Sequence, residues 1–419
     1  MKVLVVGGGG REHAIVHKLA ASPRVSKLYC APGNGGISQE AECVPIAATD
    51  ISEMIEFAKT NAIDLVVVAP DDPLAAGMVD AMEAAGIRAF GPRARAAHIE
   101  ASKSFAKDLM RKYNIPTAEY EIFDDYEGAL RYVREKGAPI VIKADGLALG
   151  KGVVVALELK EAEEALRELM ENKKFGASGA RVVIEEYMTG PEVSVLCFTD
   201  GKTMVPMLSA QDHKRVFDND LGPNTGGMGA FCPSPRFTED HYNYCMENIF
   251  IPTMDAMNAE GREFRGVIYF GLMLTVSGPR VVEYNARFGD PEAQPVLSML
   301  ETDLLDIFDA IIDGKLDLVD ITWKPGYSCC VVLCSGGYPE KYATGYEISG
   351  LDSVDDGVFV YHSGTKLEDG ITKTAGGRVL GVTAGGGTLR EAAQAAYAVA
   401  KKINFKDMHM RSDIGAGLI

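Results

Sequence analysis

Ten consecutive residues carry the densest chemistry in the chain: Glu283-Tyr284-Asn285-Ala286-Arg287-Phe288-Gly289-Asp290-Pro291-Glu292. They follow the apolar pair Val281-Val282. A β-strand alternates its faces with period two, so Glu283 and Asn285 share one side and Tyr284 takes the other. A carboxylate beside an amide oxygen forms the hard, oxygen-rich edge that a cation such as Mg²⁺ prefers. Arg287 joins that face if the strand runs so far. A fixed guanidinium next to a metal edge suits a reaction that moves phosphate.

Three other segments have residue types that could serve the same chemistry. Lys143 sits in the apolar run Pro139-Ile140-Val141-Ile142-Lys143-Ala144, where a lysine needs an anionic partner, and a phosphate would supply one. The turn from Gly146 to Gly152, with Gly150 and Lys151, lies between two strands and lacks the Ser or Thr of a phosphate loop, because Val153 follows Lys151-Gly152. It reads as a hairpin flap able to close over triphosphate oxygens. Gln211-Asp212-His213-Lys214-Arg215 and Gly222–Gly229 form a polar stretch poor in helix and strand formers, which reads as a long functional loop with local positive charge.

These residues need elements to hold them. Strands are expected at Lys2–Val6, Ser26–Cys30 and Asp64–Ala69, with helices at Arg11–Ala21, Ser52–Asn61 (capped by Asp50) and Leu74–Ala85. This βαβ rhythm predicts a doubly wound parallel sheet whose ligands meet the carboxyl ends of the strands, at Gly7–Gly10, Pro32–Gly36 and Pro70–Pro73. A helix at Ser102–Tyr113 leads into a small α+β unit with strands Ile140–Ala144, Val153–Ala156 and Arg181–Glu186 and a helix at Lys160–Glu171. Residues 191–300 read as antiparallel, with hairpin signals at Asp200-Gly201 and Ser277-Gly278. The last ninety residues hold short glycine-rich strands and a helix at Leu389–Ile403.

Composition limits the function. The 419 residues suffice for two to four domains, and 47% apolar content supports full cores. A net charge of −17 disfavours nucleic acid and anionic membranes as partners, so a small anionic substrate needs a locally basic pocket. Eight cysteines without paired spacing and seven unclustered histidines argue against zinc and disulfides. With no leader or membrane-spanning run in view, a soluble cytoplasmic protein is expected. Gly7–Gly10 invites a dinucleotide reading, but Glu12 stands where the third glycine belongs and Ala31-Pro32-Gly33-Asn34 lacks the ribose-binding acid.

Taken together, Gly9–Ala14, Pro32–Asn34, Ile142–Ala148, Gly150–Val153, Gln211–Arg215, Gly222–Ala230 and Arg287–Glu292 resemble the phosphoribosylamine–glycine ligase family, also called glycinamide ribonucleotide synthetases. The likeness continues through Gly336–Pro339 and Gly376–Leu380 to Asp413–Gly415. It implies an ATP-grasp fold of mixed α/β and α+β units. These are an N-terminal doubly wound domain (1–101), an ATP-grasp domain (102–325) with a mobile lid near 122–190, and a β-rich C-terminal domain (326–419). It also implies ATP-dependent ligation of glycine to 5-phosphoribosylamine through glycyl phosphate, in purine biosynthesis, with Mg²⁺ or Mn²⁺.

By that resemblance Glu283 and Asn285 hold the metal, and Arg287, Lys143 and Asp212 are catalytic. Lys103, Lys143, Gly146, Gly150, Lys151, Gly152, Glu185, Glu186, Tyr187 and Glu192 bind ATP. Gly9, Gly10, Asn34, Asp71, Pro73, Lys214, Asn224, Thr225, Gly226, Gly227, Arg287, Gly289 and Asp290 face the other substrates. No dominant protein base is expected, since the attacking amine is already nucleophilic. A monomer is expected, with a weak dimer as the alternative. The competing readings are another ATP-grasp carboxylate–amine ligase or carboxylase, and a nucleotide-binding regulator that has lost catalysis.

Overall fold

The computed structural model describes residues 1–147, 152–172 and 179–418. Strands β1 (Lys2–Gly7), β2 (Lys27–Pro32), β3 (Glu42–Cys43), β4 (Leu65–Val68) and β5 (Ala89–Phe90) form a parallel sheet in the order β3-β2-β1-β4-β5. Helices α1 (Gly10–Ala20), α2 (Ile51–Thr60), α3 (Asp71–Ala75), α4 (Met78–Ala84) and α5 (Ala94–Ala101) connect or follow them. β1 is apolar from Val3 to Val6 because both its faces are covered: Leu4 and Val6 enter one core, Val3 and Val5 another. Asp50 caps α2 as expected, accepting from the Glu53 amide at 3.0 Å. The chain runs from β1 to β2 on one side and returns to β4 on the other. The carboxyl ends of β1 and β4 therefore flank the switch point, and Gly8–Gly10 and Pro70–Pro73 lie there.

The single helix expected at Leu74–Ala85 is two helices. Gly77, at φ +86°, takes a left-handed conformation between α3 and α4. Helix α5 was not anticipated.

Next come α6 (Lys103–Lys112), β6 (Tyr120–Phe123), α7 (Tyr126–Lys136), β7 (Ile140–Ala144), β8 (Val153–Ala156), α8 (Leu159–Leu166) and β9 (Val182–Glu186). Their antiparallel sheet has the order β6-β9-β7-β8 and a core of its own that includes Leu130, Ile142, Leu166 and Ile184. β7 and β8 pair antiparallel, so the glycine-rich turn joins two strands of one hairpin. The helix expected to Glu171 widens into a π turn over Arg167–Glu171.

The next segment contains β10 (Glu192–Thr199), β11 (Met204–Pro206), β12 (Gln211–Asp212), β13 (Arg215–Phe217), β14 (Leu221–Asn224), β15 (Gly229–Cys232), α9 (Glu239–Cys245), α10 (Ile251–Ala259), β16 (Gly266–Thr275), β17 (Gly278–Asn285), α11 (Ala293–Met299) and α12 (Leu304–Asp313). β11-β10-β16-β17 make the antiparallel sheet that the hairpin signals predicted. The supposed irregular loop after residue 210 is largely β-structure, because β13 and β14 pair with each other and β12 with β15.

The chain ends with β18 (Tyr327–Cys334), β19 (Val358–His362), β20 (Thr365–Glu368), β21 (Ile371–Thr374), β22 (Arg378–Gly386) and α13 (Leu389–Ala400). Their main sheet runs β12-β15-β18-β22-β19, so two strands from the preceding segment complete it. That continuity ties the polar stretch after residue 210 to the C-terminal residues.

Candidate active site

The metal edge is built as the alternation required. Glu283 and Asn285 are half-buried on β17, whereas Tyr284 between them is buried, its hydroxyl 3.0 Å from Thr253 Oγ1. Glu283 faces Gly271 across the ladder, and a Cβ there would stand 3.1 Å from Glu283 Cγ, so glycine leaves room for the carboxylate. The register slips beside that pair, with Leu272 opposite Val281 and Gly271 opposite Glu283, which makes Val282 a bulge. A bulged residue drops out of the ladder, and the Val282 carbonyl is free to accept from Lys143 Nζ at 3.0 Å.

β17 ends at Asn285, so Arg287 does not extend the strand face. Its guanidinium returns to the edge, donating to Asn285 Oδ1 at 3.3 Å and pairing with Glu100 Oε1 at 2.8 Å. Glu100 is fixed in turn by the Ala286 amide at 2.7 Å. Arg287 Nε is buried without a hydrogen-bond partner. Burial pushes the Glu283 carboxyl upward, but Lys214, Lys143, Lys103 and Arg287 outweigh it and hold the group below its ordinary range. An ionised carboxylate and an amide oxygen on one strand edge fit a hard divalent cation. Among the described residues no cluster of three or more His, Cys, Asp or Glu could enclose an ion, so water and substrate oxygens would complete its shell.

Three lysines gather beside this edge. Lys143 on β7 is 3% exposed, and its partner inside the protein is Glu185 Oε1 at 2.9 Å. Glu185 Oε2 lies 2.9 Å from Lys107 Nζ. The Glu185 carboxylate is thus spent on two lysines, and burial notwithstanding they hold it ionised below its usual range. Burial draws Lys107 down to about 8 against the pull of Glu185. Lys103 begins α6, where Asp145 accepts from Ser102 Oγ at 3.2 Å and the Ser104 amide at 2.6 Å. Its Nζ reaches the Gly146 carbonyl at 3.2 Å, which places it under the flap's first residue. Burial and then Lys143, opposed by Glu283, Asp145 and Glu100, lower its proton affinity. Gly152 is buried, its carbonyl accepting from the Ala144 amide at 2.8 Å, whereas Gly150 and Lys151 lie outside the described residues. Glu186 accepts from Arg280 at 2.9 Å, and Tyr187 is exposed.

Lys214 and Glu192, assigned above to different substrates, form one ion pair at 2.7 Å. Next to them Asp212 is pushed up to about 7 by burial, with Glu292, Glu192 and Glu283 adding to the effect and Lys214 opposing it. Glu292 is buried, its Oε1 accepting from Tyr269 at 3.0 Å and Ser194 at 3.3 Å.

A second group of residues, around Gly10, Asn34 and Asp290, is tightly cross-braced. The Asn34 side chain donates to the Gly8 and His362 carbonyls at 2.9 and 2.8 Å and accepts from the Gly36 and Ile37 amides, both at 2.9 Å, so its hydrogen-bonding capacity is used internally. Glu12 Oε2 caps α1 through the Gly9 amide at 2.6 Å. A Cβ on Gly10 would lie 2.6 Å from both Gln294 Nε2 and Ser363 Oγ. Arg378 pairs with Asp290 at 2.8 Å and donates to the Gly226 carbonyl at 2.6 Å. Burial raises Asp290, yet Arg378 and Arg11 outweigh that and keep it ionised. Asn224 pairs with Arg215 across the ribbon, Thr225 hydrogen-bonds the Lys214 carbonyl at 2.8 Å, and a Cβ on Gly227 would strike Pro291 at 2.3 Å. Gly289 packs against Glu292, while Asp71 and Pro73 open α3 at the switch point.

Sequence reasoning missed Glu100, Lys107, Ser194, Tyr269 and Arg378. Lys107 left a signal, since it follows Lys103 by one helical turn on the same face, and Arg378 stood inside the motif Gly376–Leu380 without a role. The histidines, scattered along the chain, do not all stay apart. His13 and His17 bracket Glu40 at 3.3 and 2.9 Å, and His13 Nδ1 accepts from the His362 amide at 2.7 Å.

An antiparallel unit that carries a buried lysine and a glycine-rich hairpin, set against a second sheet that presents an acid–amide edge, defines an ATP-grasp ligase. Residues 1–100, 101–293 and 328–417 match the N, ATP-grasp (A) and C domains of phosphoribosylglycinamide synthetase. Phosphoribosylamine–glycine ligase of Caldanaerobacter subterraneus is 49% identical over 417 residues, with 100% of each chain covered. That of Vibrio cholerae is 49% identical over 419 residues, covering 99% of this chain and 98% of its own. The crystal structure of the Thermotoga maritima phosphoribosylamine–glycine ligase superposes with a TM-score of 0.87 at 31% identity, covering 99% and 100% of the two chains. A biotin carboxylase from Campylobacter jejuni shares the fold, with a TM-score of 0.75 at 13% identity and 97% and 92% coverage. The chain belongs to the phosphoribosylglycinamide synthetase family.

Proposed function

We propose that the chain joins glycine to 5-phosphoribosylamine with ATP, forming glycinamide ribonucleotide, ADP and phosphate by way of glycyl phosphate, as a step of purine biosynthesis. One observation carries the reading. In a protein of net charge −17, Lys103, Lys143, Lys214 and Arg287 all act on a single ionised strand-edge carboxylate, Glu283. Three of the four also carry carboxylates of their own, Glu185, Glu192 and Glu100, so the cluster is a network of shared charges into which a metal-bound triphosphate can exchange.

A carboxylate has a poor leaving group, and phosphorylation converts it to a good one. The protein's tasks are to neutralise phosphate charge, orient the reactants and exclude water. Glu283 and Asn285 would hold Mg²⁺ or Mn²⁺, which supplies charge neutralisation on phosphate oxygens when bound. Lys103 and Lys143 bind the triphosphate, with the Gly146–Gly152 segment as its closing flap. Backbone groups around Glu185–Tyr187 take the adenine, and Glu186 and Glu192 lie near enough in the chain to serve the ribose. Arg287, braced by Glu100, orients the phosphoryl or acyl group. Asp212, near neutrality in its proton affinity, can exchange a proton as the amine is acylated.

Gly9, Gly10, Asp71, Pro73, Gly226, Gly227, Gly289 and Asp290 shape the phosphoribosylamine side, mostly through backbone and close packing. Asn34 acts there by fixing the loop. The working units are 1–101, 102–325 with its lid, and 326–419. Among the described residues no helix is long and apolar enough to cross a membrane. We place the protein in the cytoplasm as a monomer.

The test is ADP release with glycine and freshly made phosphoribosylamine, each omitted in turn. Release should require both. Bicarbonate-dependent release without glycine would instead favour a carboxylase, whose fold this chain shares.

A further inference from the structure

Lys107 is 2% exposed on α6, and the mechanism above gives it no contact with any substrate. Its Nζ lies 2.9 Å from Glu185 Oε2 and donates to Thr117 Oγ1 at 2.8 Å, and the threonine hydroxyl donates to the Val281 carbonyl at 2.6 Å. The other Glu185 oxygen is 2.9 Å from Lys143, whose Nζ also reaches the Val282 carbonyl at 3.0 Å. The relay therefore lands on two consecutive carbonyls at the bulge, immediately before Glu283. It connects α6, β9, β7 and β17.

Its charge count matters as much as its geometry. Two ammonium groups share one carboxylate in a dry interior, so Glu185 cancels neither charge fully, and the other carboxylate acting on Lys143 is the strand-edge Glu283, which is itself shared among Lys103, Lys143, Lys214 and Arg287. An anion arriving at Lys143 meets an ammonium that no carboxylate serves alone. Without Lys107, Glu185 would belong to Lys143 alone, and the pair would be neutral.

We propose that Lys107 is a positioning residue for nucleotide binding: by sharing Glu185 it keeps the charge of Lys143 available to the triphosphate. The proposal rests on the ATP reading of this site and adds to it a residue that touches no nucleotide.

Calorimetric titration with Mg²⁺ and a non-hydrolysable ATP analogue tests it directly. Lys107→Met should weaken binding by about tenfold, the scale of one charge-assisted contact. In turnover it should raise KM for ATP more than it lowers kcat. Lys107→Arg should bind as the parent does. The decisive variant is the double substitution Lys107→Met with Glu185→Gln, which should recover most of the lost affinity because the neutralising carboxylate is gone. A merely structural lysine predicts the reverse, with the double variant falling further in both affinity and melting temperature, and that result would overturn the proposal. Should Lys107→Met fail to fold, Lys107→Gln takes its place, with the same loss of affinity expected. Unchanged affinity with a lowered melting temperature refutes the charge argument. Nucleotide binding by a parent protein that ligates no glycine would unseat the proposed reaction and leave this result standing, whereas a parent that binds no nucleotide removes both.

Discussion

Lys103, Lys107 and Lys143 bring three ammonium groups to the β7–β9 side of the cleft, with one buried carboxylate, Glu185, between two of them. Across the cleft, Asn34 makes four internal hydrogen bonds and Asp290 is held by Arg378. The two groups treat charge in opposite ways. On the proposed nucleotide wall two lysines share the single carboxylate Glu185, a buried arrangement that a further anion would relieve. On the proposed acceptor wall the polar side chains satisfy one another. On these assignments the first wall binds through charge and the second through shape.

The largest effect should come from the strand edge that serves the first wall. Glu283→Gln keeps the volume and removes the charge that four cations surround. Ligation should fall by about 10²–10³-fold, the cost of losing one preorganised electrostatic group, while the melting temperature changes little. Near-normal ADP release at millimolar Mg²⁺ would end the metal assignment and with it the idea that this wall works by charge. Lys143→Met should likewise weaken ATP binding more than it lowers the melting temperature; the opposite order would make Lys143 structural.

The second wall is tested by adding volume rather than removing charge. Gly10→Ala places a Cβ 2.6 Å from Gln294 Nε2 and Ser363 Oγ, in a region where three separated parts of the chain meet. Overpacking there costs about 1–3 kcal/mol. The expected readout is a KM for phosphoribosylamine raised about tenfold with KM for ATP unchanged. Equal changes in both constants would show that the walls are not independent.

The contrast between the walls also explains how much could be read from the chain alone. The placement of Glu283 and Asn285 follows from period-two alternation, a local property, and the βαβ rhythm likewise predicts the parallel sheet. Lys143 was recognisable as a buried lysine in need of a partner. That the partner inside the protein is Glu185 was not, because the pairing depends on the register of β7 against β9. The bulge at Val282 has no marker in Val281-Val282-Glu283. Glu100 and Arg378 reach the site from a helix and a strand far away in sequence, each chosen by tertiary packing rather than by periodicity. The polar stretch after residue 210 read as a loop because its strands are two to four residues long; β12 and β15 join the C-terminal sheet, and β13 and β14 pair with each other.

Asp212 belongs to neither wall and should give the smallest effect. Its folded proton affinity stands at about 7 against an ordinary 3.8. A carboxyl whose affinity is raised on folding contributes stability that is complete below the ordinary value and lost as the pH rises through about 7. Asp212→Asn cannot ionise, so it escapes that loss. At pH 8 the variant should be more stable than the parent by about 1–3 kcal/mol, which in a chain this long is a shift of only a few degrees. The gap should close as the pH falls toward 4. A thermal melt series across that range checks the sign. A gap that stays constant with pH, or a variant less stable at pH 8, would mean that Lys214 fully compensates Asp212.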